Sequence, residues 1–213
     1  MGQDDGTRSG VRDVFVARLG MRIIAGEFRH RRLHSPPTDT TRPITDRAKQ
    51  SLFDALQDCF AMDEGSGAGR VLDCFAGTGS MGLECLSRGA AKAIFVEQGR
   101  GALEMLRKNI EEMGVGARAV VLEMDAYECA KQPEVRDLTV AFVDPPYVHM
   151  EDGFTRAKVD ALVRALAEKC MVDGGIISMR HHARVSVDGP ALGVKVVREF
   201  KYGDMGITWV RKG

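Results

Sequence analysis

An α/β fold with a mostly parallel sheet and helices on both of its faces is predicted by three features of this 213-residue sequence. From Arg70 onward, short apolar runs alternate with helical patterns, the rhythm of β-α-β units. A glycine turn, Gly77-Thr-Gly79, follows the first apolar run and opens a helical pattern. Near the C-terminus the runs VKVVREF and ITWVRK are joined only by KYGDMG. That link is too short for a parallel crossover, so the last two strands pair antiparallel.

Taken in order, residues 1–20 read as a poorly ordered extension. MRIIAGEFRHRRLHSPP (21–37) reads as a short β-hairpin, with Ile23, Ile24 and Phe28 as apolar positions, Gly26 at the turn and Pro36-Pro37 as the stop. Thr38 to Pro43 is a polar linker. Thr45 can cap a helix from Asp46 to about Phe60, with Ala48, Leu52, Ala55, Leu56 and Cys59 on one face. Strands are expected at 70–75, 93–97, 119–124, 140–144, 175–180, 194–200 and 206–211. Helices are expected at 80–88, 100–113, 127–131 and 155–170. Five alternating strands followed by a hairpin is not the usual dinucleotide-binding order.

Composition narrows the class. Apolar residues make up 44% and charged residues 28%, the profile of a soluble globular protein. No apolar run approaches the ~20 residues of a membrane span, and the N-terminus has no secretory character. Five cysteines without C-x-x-C spacing predict a reducing cytoplasm and no structural zinc. His30, His34, His149, His181 and His182 lack ligand spacing, so no metal is expected. The formal net charge is zero, yet residues 21–50 carry Arg22, Arg29, Arg31, Arg32, Arg42, Arg47 and Lys49 against Glu27, Asp39 and Asp46. A local basic segment on a neutral chain fits a polyanion touched at one place, or a solvated charge run.

Gly77, Gly79 and Gly82 spell G-x-G-x-x-G. Such a turn places backbone N–H groups at a helix N-terminus, where an anion is welcome. Glu97, 20 residues after Gly77, ends the second strand, where a carboxylate can take both hydroxyls of a ribose. NAD and S-adenosylmethionine both satisfy these points. Asp73 separates them: a carboxylate beside the turn repels a pyrophosphate but can meet an ammonium, directly or through water. Asp125, after the third strand, could accept from an adenine amine while the Ala126 N–H bonds the ring; alone, Asp125 reads as a loop residue. The alternative is that Asp73 only caps the turn; Asp73, Gly77, Gly79 and Glu97 taken together favour cofactor binding.

The second motif is VAFVDPPY (140–147). Pro145 and Pro146 fix φ and lack N–H groups, and each extends the residue before it. The result is a stiff loop at the carboxyl end of the fourth strand, where open α/β sheets bind ligands. It presents the Asp144 carboxylate, backbone carbonyls and the Tyr147 ring. These suit a planar group with an exocyclic amine, such as a nucleobase.

The stretches "RIIAGEFRHRRL", "RPITDRAKQSLFDAL", "LDCFAGTGSMGLECLSRGA", "FVDPPY" and "KYGDMGITWV", in that order, resemble the bacterial small-subunit (16S) ribosomal RNA guanine-N2 methyltransferases of the RsmD type. The resemblance runs from about Met21 to the C-terminus. It implies a class I methyltransferase (Rossmann-like) fold with a seven-stranded sheet and a small N-terminal hairpin. The divisions it implies are residues 1–20 as an extension, 21–45 as a basic RNA-binding hairpin and linker, and 46–213 as the methyltransferase domain. S-adenosylmethionine is the implied donor, S-adenosylhomocysteine the product, and N2 of one guanine the acceptor. Carried over by motif, Asp73, Ala76, Gly77, Thr78, Gly79 and Glu97 hold cofactor, with Asp125 and Ala126 at the adenine. Arg42 and Thr45 line the same site. Asp144, Pro145, Pro146 and Tyr147 hold the base, and Arg22, Arg29, Arg31 and Arg32 meet phosphates.

The implied partner is small-subunit ribosomal RNA, naked or within an assembling small subunit, in the cytoplasm. An amino-methyltransferase acting on adenine N6, cytosine N4 or protein glutamine is the alternative, as is a non-catalytic RNA-binding protein that retains the cofactor site. Met179-Arg-His-His-Ala183, after the fifth strand, departs from the family pattern, which has an acidic residue there. It could shift RNA contacts, and surface variation is the preferred reading.

Overall fold

The structure, a computed structural model, describes residues 21–35, 44–57 and 69–213. The expected extension (1–20), the linker with Arg42, and the end of the first predicted helix near Phe60 lie outside the described residues.

Helix α1 (Asp46–Ala55) starts where Thr45 accepts the Ala48 N–H through its hydroxyl at 3.3 Å, the cap read from sequence. Then β1 (Arg70–Cys74), α2 (Ser80–Ser87), β2 (Lys92–Glu97), α3 (Arg100–Met113), β3 (Ala119–Glu123) and β4 (Leu138–Val143) follow. Helix α4 (Tyr147–Glu151), α5 (Gly153–Lys169), β5 (Met171–His182), α6 (Gly189–Leu192), β6 (Val194–Tyr202) and β7 (Met205–Lys212) complete the chain. The seven strands form one sheet in the order β3-β2-β1-β4-β5-β7-β6. Strands β1 to β5 are parallel, and β7 runs antiparallel between β5 and β6. This is the class I methyltransferase architecture expected from the sequence.

Strand β4 shows why the sheet forms. All six residues of LTVAFV are buried, as a central parallel strand covered on both faces requires. On one face, α1, α2 and α3 pack Leu52, Phe53, Leu83 and Leu106 against Phe95 and Phe142. On the other, α5 packs Val159, Leu162 and Leu166 against Ala141 and Ile177. Helix α3 stops at Gly114, whose φ of 68° closes the helix as a left-handed C-terminal residue. Gly203, with φ 60°, makes the two-residue turn between β6 and β7.

Several elements differ from the sequence reading. The predicted N-terminal hairpin is reduced to one antiparallel bridge, Arg22 to Arg32, flanked by Ile23 N–H to Arg31 O at 2.9 Å and Leu33 N–H to Met21 O at 2.8 Å. Four of the intervening backbone donors, on Ile24, Ala25, Glu27 and Phe28, bond to α2, while the His30 N–H returns across the hairpin to the Ile23 carbonyl at 2.9 Å. Glu84 accepts the Ile24 and Ala25 N–H groups at 2.8 and 3.0 Å, and the Ser87 carbonyl accepts the Glu27 N–H at 2.8 Å. The helix expected at 127–131 is a 3-10 turn over Ala126–Lys131. Strand β5 begins earlier than predicted, because Met171 pairs with Leu138 before a register irregularity. Among the described residues no helix is long and apolar enough to cross a membrane.

Candidate active site

The carboxyl ends of β1, β2 and β4 open into a cavity of about 660 Å³, within the usual range for small-molecule sites. Asp73, Ala76, Gly77, Thr78, Glu97, Ala126, Asp144, Pro145, Pro146 and Tyr147 all line it. The two motifs read from sequence therefore share one space.

The turn after β1 is held by unusual backbone. Phe75 adopts φ 59°, a left-handed conformation costly for an aromatic residue, and its ring meets Tyr127 edge-on at 5.4 Å. Gly77 follows at φ 55°, and a Cβ there would meet nothing within 4 Å, so its open side faces the cavity. Gly79, at φ 86°, lies behind the cavity at the start of α2; a Cβ on it would come within 2.4 Å of Leu106. The motif thus splits into one glycine beside the cavity and one packed into the core.

The two acids of the cofactor reading are both engaged. Asp73 is buried, and its Oδ2 accepts the Gly82 N–H at 2.9 Å in the first turn of α2. It caps the helix and lines the cavity at once. Burial pushes its carboxyl up to about 7, against the Gly82 bond that pulls it down. Glu97 accepts the Gly77 N–H at 2.8 Å through Oε2, and the Gln98 and Gly99 N–H groups at 3.0 and 2.7 Å through Oε1. Three of its roughly four acceptor positions are taken by backbone, which fixes it at the end of β2.

Asp125 accepts the Tyr127 N–H at 3.1 Å and caps the 3-10 turn; the residues beside it, Met124, Ala126 and Tyr127, line the cavity. Thr45 caps α1, while its neighbour Ile44 reaches the cavity wall. Arg42 lies outside the described residues.

At the base-holding side, the segment read as surface variation supplies a wall of the cavity. Arg180, at the end of β5, donates from Nη1 to Asp144 Oδ2 at 2.8 Å and from Nη2 to the Tyr147 hydroxyl at 3.2 Å. Its guanidinium carbon lies 5.4 Å from the Tyr147 ring centroid. The Arg180 side chain is only 15% exposed. Burial raises the Asp144 carboxyl, and Arg180 opposes that shift. His182 meets the Tyr147 ring edge-on at 6.1 Å, and buried His181 shares a hydrogen bond with Thr208 Oγ1 at 2.9 Å. The signal was available: strands predicted to end at Asp144 and at Arg180 are neighbours in a parallel sheet, so their last residues meet. Sequence reading also passed over Tyr127 and His149, which line the cavity and share a hydrogen bond at 2.8 Å.

A second buried charge cluster lies behind the turn. Lys49 and Glu84, 3% and 0% exposed, pair at 3.1 Å, and Arg88 donates to Glu84 at 2.9 Å. Lys49 also donates to Ser80 Oγ at 3.1 Å and to the Arg22 carbonyl at 3.3 Å. Of the four arginines expected to meet phosphate, all are exposed. Arg22 pairs with Asp46 at 2.7 Å, and Arg31 donates to the Glu112 carbonyl. Among the described residues no cluster of His, Cys, Asp or Glu is arranged to hold a metal ion.

The donor set selects a ligand. Among the described residues that line the cavity, Arg180, which pairs with Asp144, is the only Lys or Arg. The wall has three acids, Asp73, Glu97 and Asp144, and a buried Thr78 Oγ1 that finds no hydrogen-bond partner among the described residues. These residues fit a cofactor with an ammonium, a ribose and no phosphate.

Residues 21–211 match the profile of the family described as Conserved hypothetical protein 95. The chain belongs to that family. The RsmD-type resemblance read from the motifs is thereby borne out. Ribosomal RNA small subunit methyltransferase D of Escherichia coli (strain K12) is 37% identical over 127 residues, a match spanning 60% of this chain and 60% of that protein. YlbH of Bacillus subtilis (strain 168) is 30% identical over 195 residues, 90% of this chain and 99% of the relative. The solved structure of yhhF from Escherichia coli superposes with a TM-score of 0.70 at 27% identity, covering 90% of this chain and 98% of that one.

Proposed function

We propose that this member of the family is an S-adenosylmethionine-dependent methyltransferase that modifies the exocyclic N2 of one guanine in small-subunit ribosomal RNA. The observation that carries the reading is the opening of the Asp144-Pro145-Pro146-Tyr147 loop into the same cavity as the glycine turn. The name of the E. coli relative supports ribosomal RNA as the polymer.

In this reading Asp73, Ala76, Gly77, Thr78, Glu97 and Ala126 hold the cofactor, which supplies a sulfonium methyl group. Asp73 meets its ammonium through the carboxylate oxygen that Gly82 leaves free, and Glu97 keeps an acceptor position for the ribose. Guanine N2 is a poor nucleophile because its lone pair is delocalised into the ring. The Asp144 carboxylate and the Pro145 carbonyl accept its two N–H bonds, which favours a pyramidal nitrogen with its lone pair directed at the cofactor side. Positioning of this kind supplies much of the rate. A carboxylate beside the developing positive charge supplies more. The base is unstacked to enter, and the Tyr147 ring recovers part of that cost.

Residues 21–35 form an RNA-contacting surface continuous with the methyltransferase domain, and Arg22, Arg29, Arg31 and Arg32 are its exposed cations. The site of action is the cytoplasm, on the RNA or the assembling subunit. Nucleoside mass spectrometry of ribosomal RNA from cells with and without this protein tests the reading. N2-methylguanosine should fall in the cells that lack it, and an unchanged level refutes the assignment.

A further inference from the structure

Arg180 is not needed to hold a cofactor or to accept an amine, yet it is built into the wall of the base pocket. Its Nη1 bonds one carboxylate oxygen of Asp144, Oδ2, and its Nη2 bonds the Tyr147 hydroxyl. No other hydrogen bond to the Asp144 side chain is found among the described residues, so Oδ1 remains open. Along this wall the order of groups is acceptor (Oδ1), acceptor (Oδ2), donor (Nη1). All three belong to side chains that line the cavity.

We propose that Asp144 and Arg180 together form a guanine-reading edge, with Arg180 as the residue that fixes base specificity. The inference rests on the proposed function and deepens it. Guanine presents, in series, two donors and one acceptor on its Watson–Crick edge: N2–H, N1–H and O6. It is the complement of acceptor, acceptor, donor. Oδ1 takes the N2–H on the N1 side, Oδ2 takes N1–H, and Nη1 donates to O6. The Pro145 carbonyl is left for the second N2–H, so Oδ1 serves both to read the base and to position its amine.

Other amino-bearing bases fail the same edge. Adenine and cytosine place a bare ring nitrogen beside their amine, which sets lone pair against lone pair at Oδ2. 2,6-Diaminopurine keeps the 2-amine but points an amine, not a carbonyl, at Nη1. A buried polar group left unpaired is what makes such rejection strong. The guanidinium is a fitting reader, because it stays charged and its fork is held at two points, on Asp144 and Tyr147.

The test is a cycle across protein and ligand. Guanosine and 2,6-diaminopurine riboside are titrated by NMR into the full chain saturated with S-adenosylhomocysteine, for the wild type, Arg180→Ala and Arg180→Lys. The N1 difference between the nucleosides is common to all three proteins and cancels. The preference for guanosine should fall by about tenfold or more in Arg180→Ala. Arg180→Lys, which keeps a cationic donor, should recover part of it. A purely structural role would weaken both nucleosides alike and leave the ratio fixed. An unchanged ratio overturns the inference, and so does tighter guanosine binding by Arg180→Ala, which would make Arg180 an occupant of the base site. If the wild type fails to raise N2-methylguanosine in ribosomal RNA, the functional reading falls and takes the inference with it. If it does raise it while the ratio stays fixed, only the inference falls.

Discussion

The Asp73 carboxylate and the Gly82 N–H meet at 2.9 Å, joining the end of β1 to the first turn of α2 across the glycine motif. One side chain thus serves the fold and faces the ligand space. The two roles come apart by substitution. Asp73→Asn keeps an acceptor for Gly82 and removes the charge; it should fold normally and bind S-adenosylmethionine at least tenfold more weakly by calorimetry, as loss of a charged partner implies. Asp73→Ala should in addition lose about 1–3 kcal/mol of stability, because the Gly82 N–H is left buried and unpaired.

The same residue sets a pH dependence. Its folded pKa, about 7, lies above the ordinary carboxylate value. The proton is therefore held more tightly in the folded state, and the stability this group contributes is complete at low pH and is lost as pH rises to about 7. Urea midpoints of the wild type should carry this downward slope between about pH 4 and 7. Asp73→Asn should flatten it, and an identical slope in both proteins would place the titration elsewhere.

Asp144→Ala removes the carboxylate from the base pocket and leaves the cofactor side intact. Methyl transfer should fall by about a hundredfold or more, the scale for losing a preorganised electrostatic partner. S-adenosylhomocysteine affinity should hold. Near-normal turnover on ribosomal RNA would remove Asp144 from the reaction.

The two glycines of the turn should behave differently. Gly77→Ala meets no protein atom within 4 Å and carries only left-handed strain, roughly 1–2 kcal/mol. Its methyl group intrudes on the cavity, so cofactor affinity is the property that should suffer. Gly79→Ala drives a Cβ against Leu106 and should show first as a lowered Tm. Equal losses of stability in the two variants would contradict this division.

Removing residues 21–41 is a poor test of RNA binding, because Ile23 and Leu33 are buried in the core and Glu84 holds the segment. Arg29→Ala with Arg32→Ala is the cleaner experiment. Both residues are exposed, and no ion pair is found for them among the described residues. The double variant should bind ribosomal RNA more weakly, with a salt slope reduced by about one per arginine. An unaltered slope would leave the basic segment with a structural role alone.

The β-α-β rhythm, the late hairpin and the two loop motifs were legible because each rests on local pattern. Apolar strands, glycines and paired prolines constrain the chain wherever they occur. Arg180 was not legible in the same way, because Arg-His-His after a strand carries the composition of a surface. Its meaning comes from a neighbour 36 residues earlier, brought alongside by the β4–β5 pairing. Lys49 and Glu84 were missed for a related reason: charges on helices are normally solvated, and burial of this pair depends on three segments meeting. The N-terminal hairpin was legible only in outline: its arms do pair at Arg22 and Arg32, but alternation of apolar residues does not reveal that α2 takes four of the backbone donors between them. The free oxygen of Asp73 and the nearly full hydrogen-bonding of Glu97 are matters of geometry that spacing cannot supply.

Glu84 accepts from the backbone of residues 24 and 25, from Lys49 on α1 and from Arg88 at the end of its own helix. Breaking one partner of such a buried cluster costs about 3–5 kcal/mol, so the connection is stiff. The outer arginines are therefore mounted on the helix that follows the glycine turn, whose first residue, Ser80, lines the same cavity as the base pocket. Under the proposed function that mounting acts as a gauge. A nucleotide is selected by lying at a set span from the backbone the arginines grip, and a guanine in an otherwise identical setting but shifted along the strand falls outside its reach.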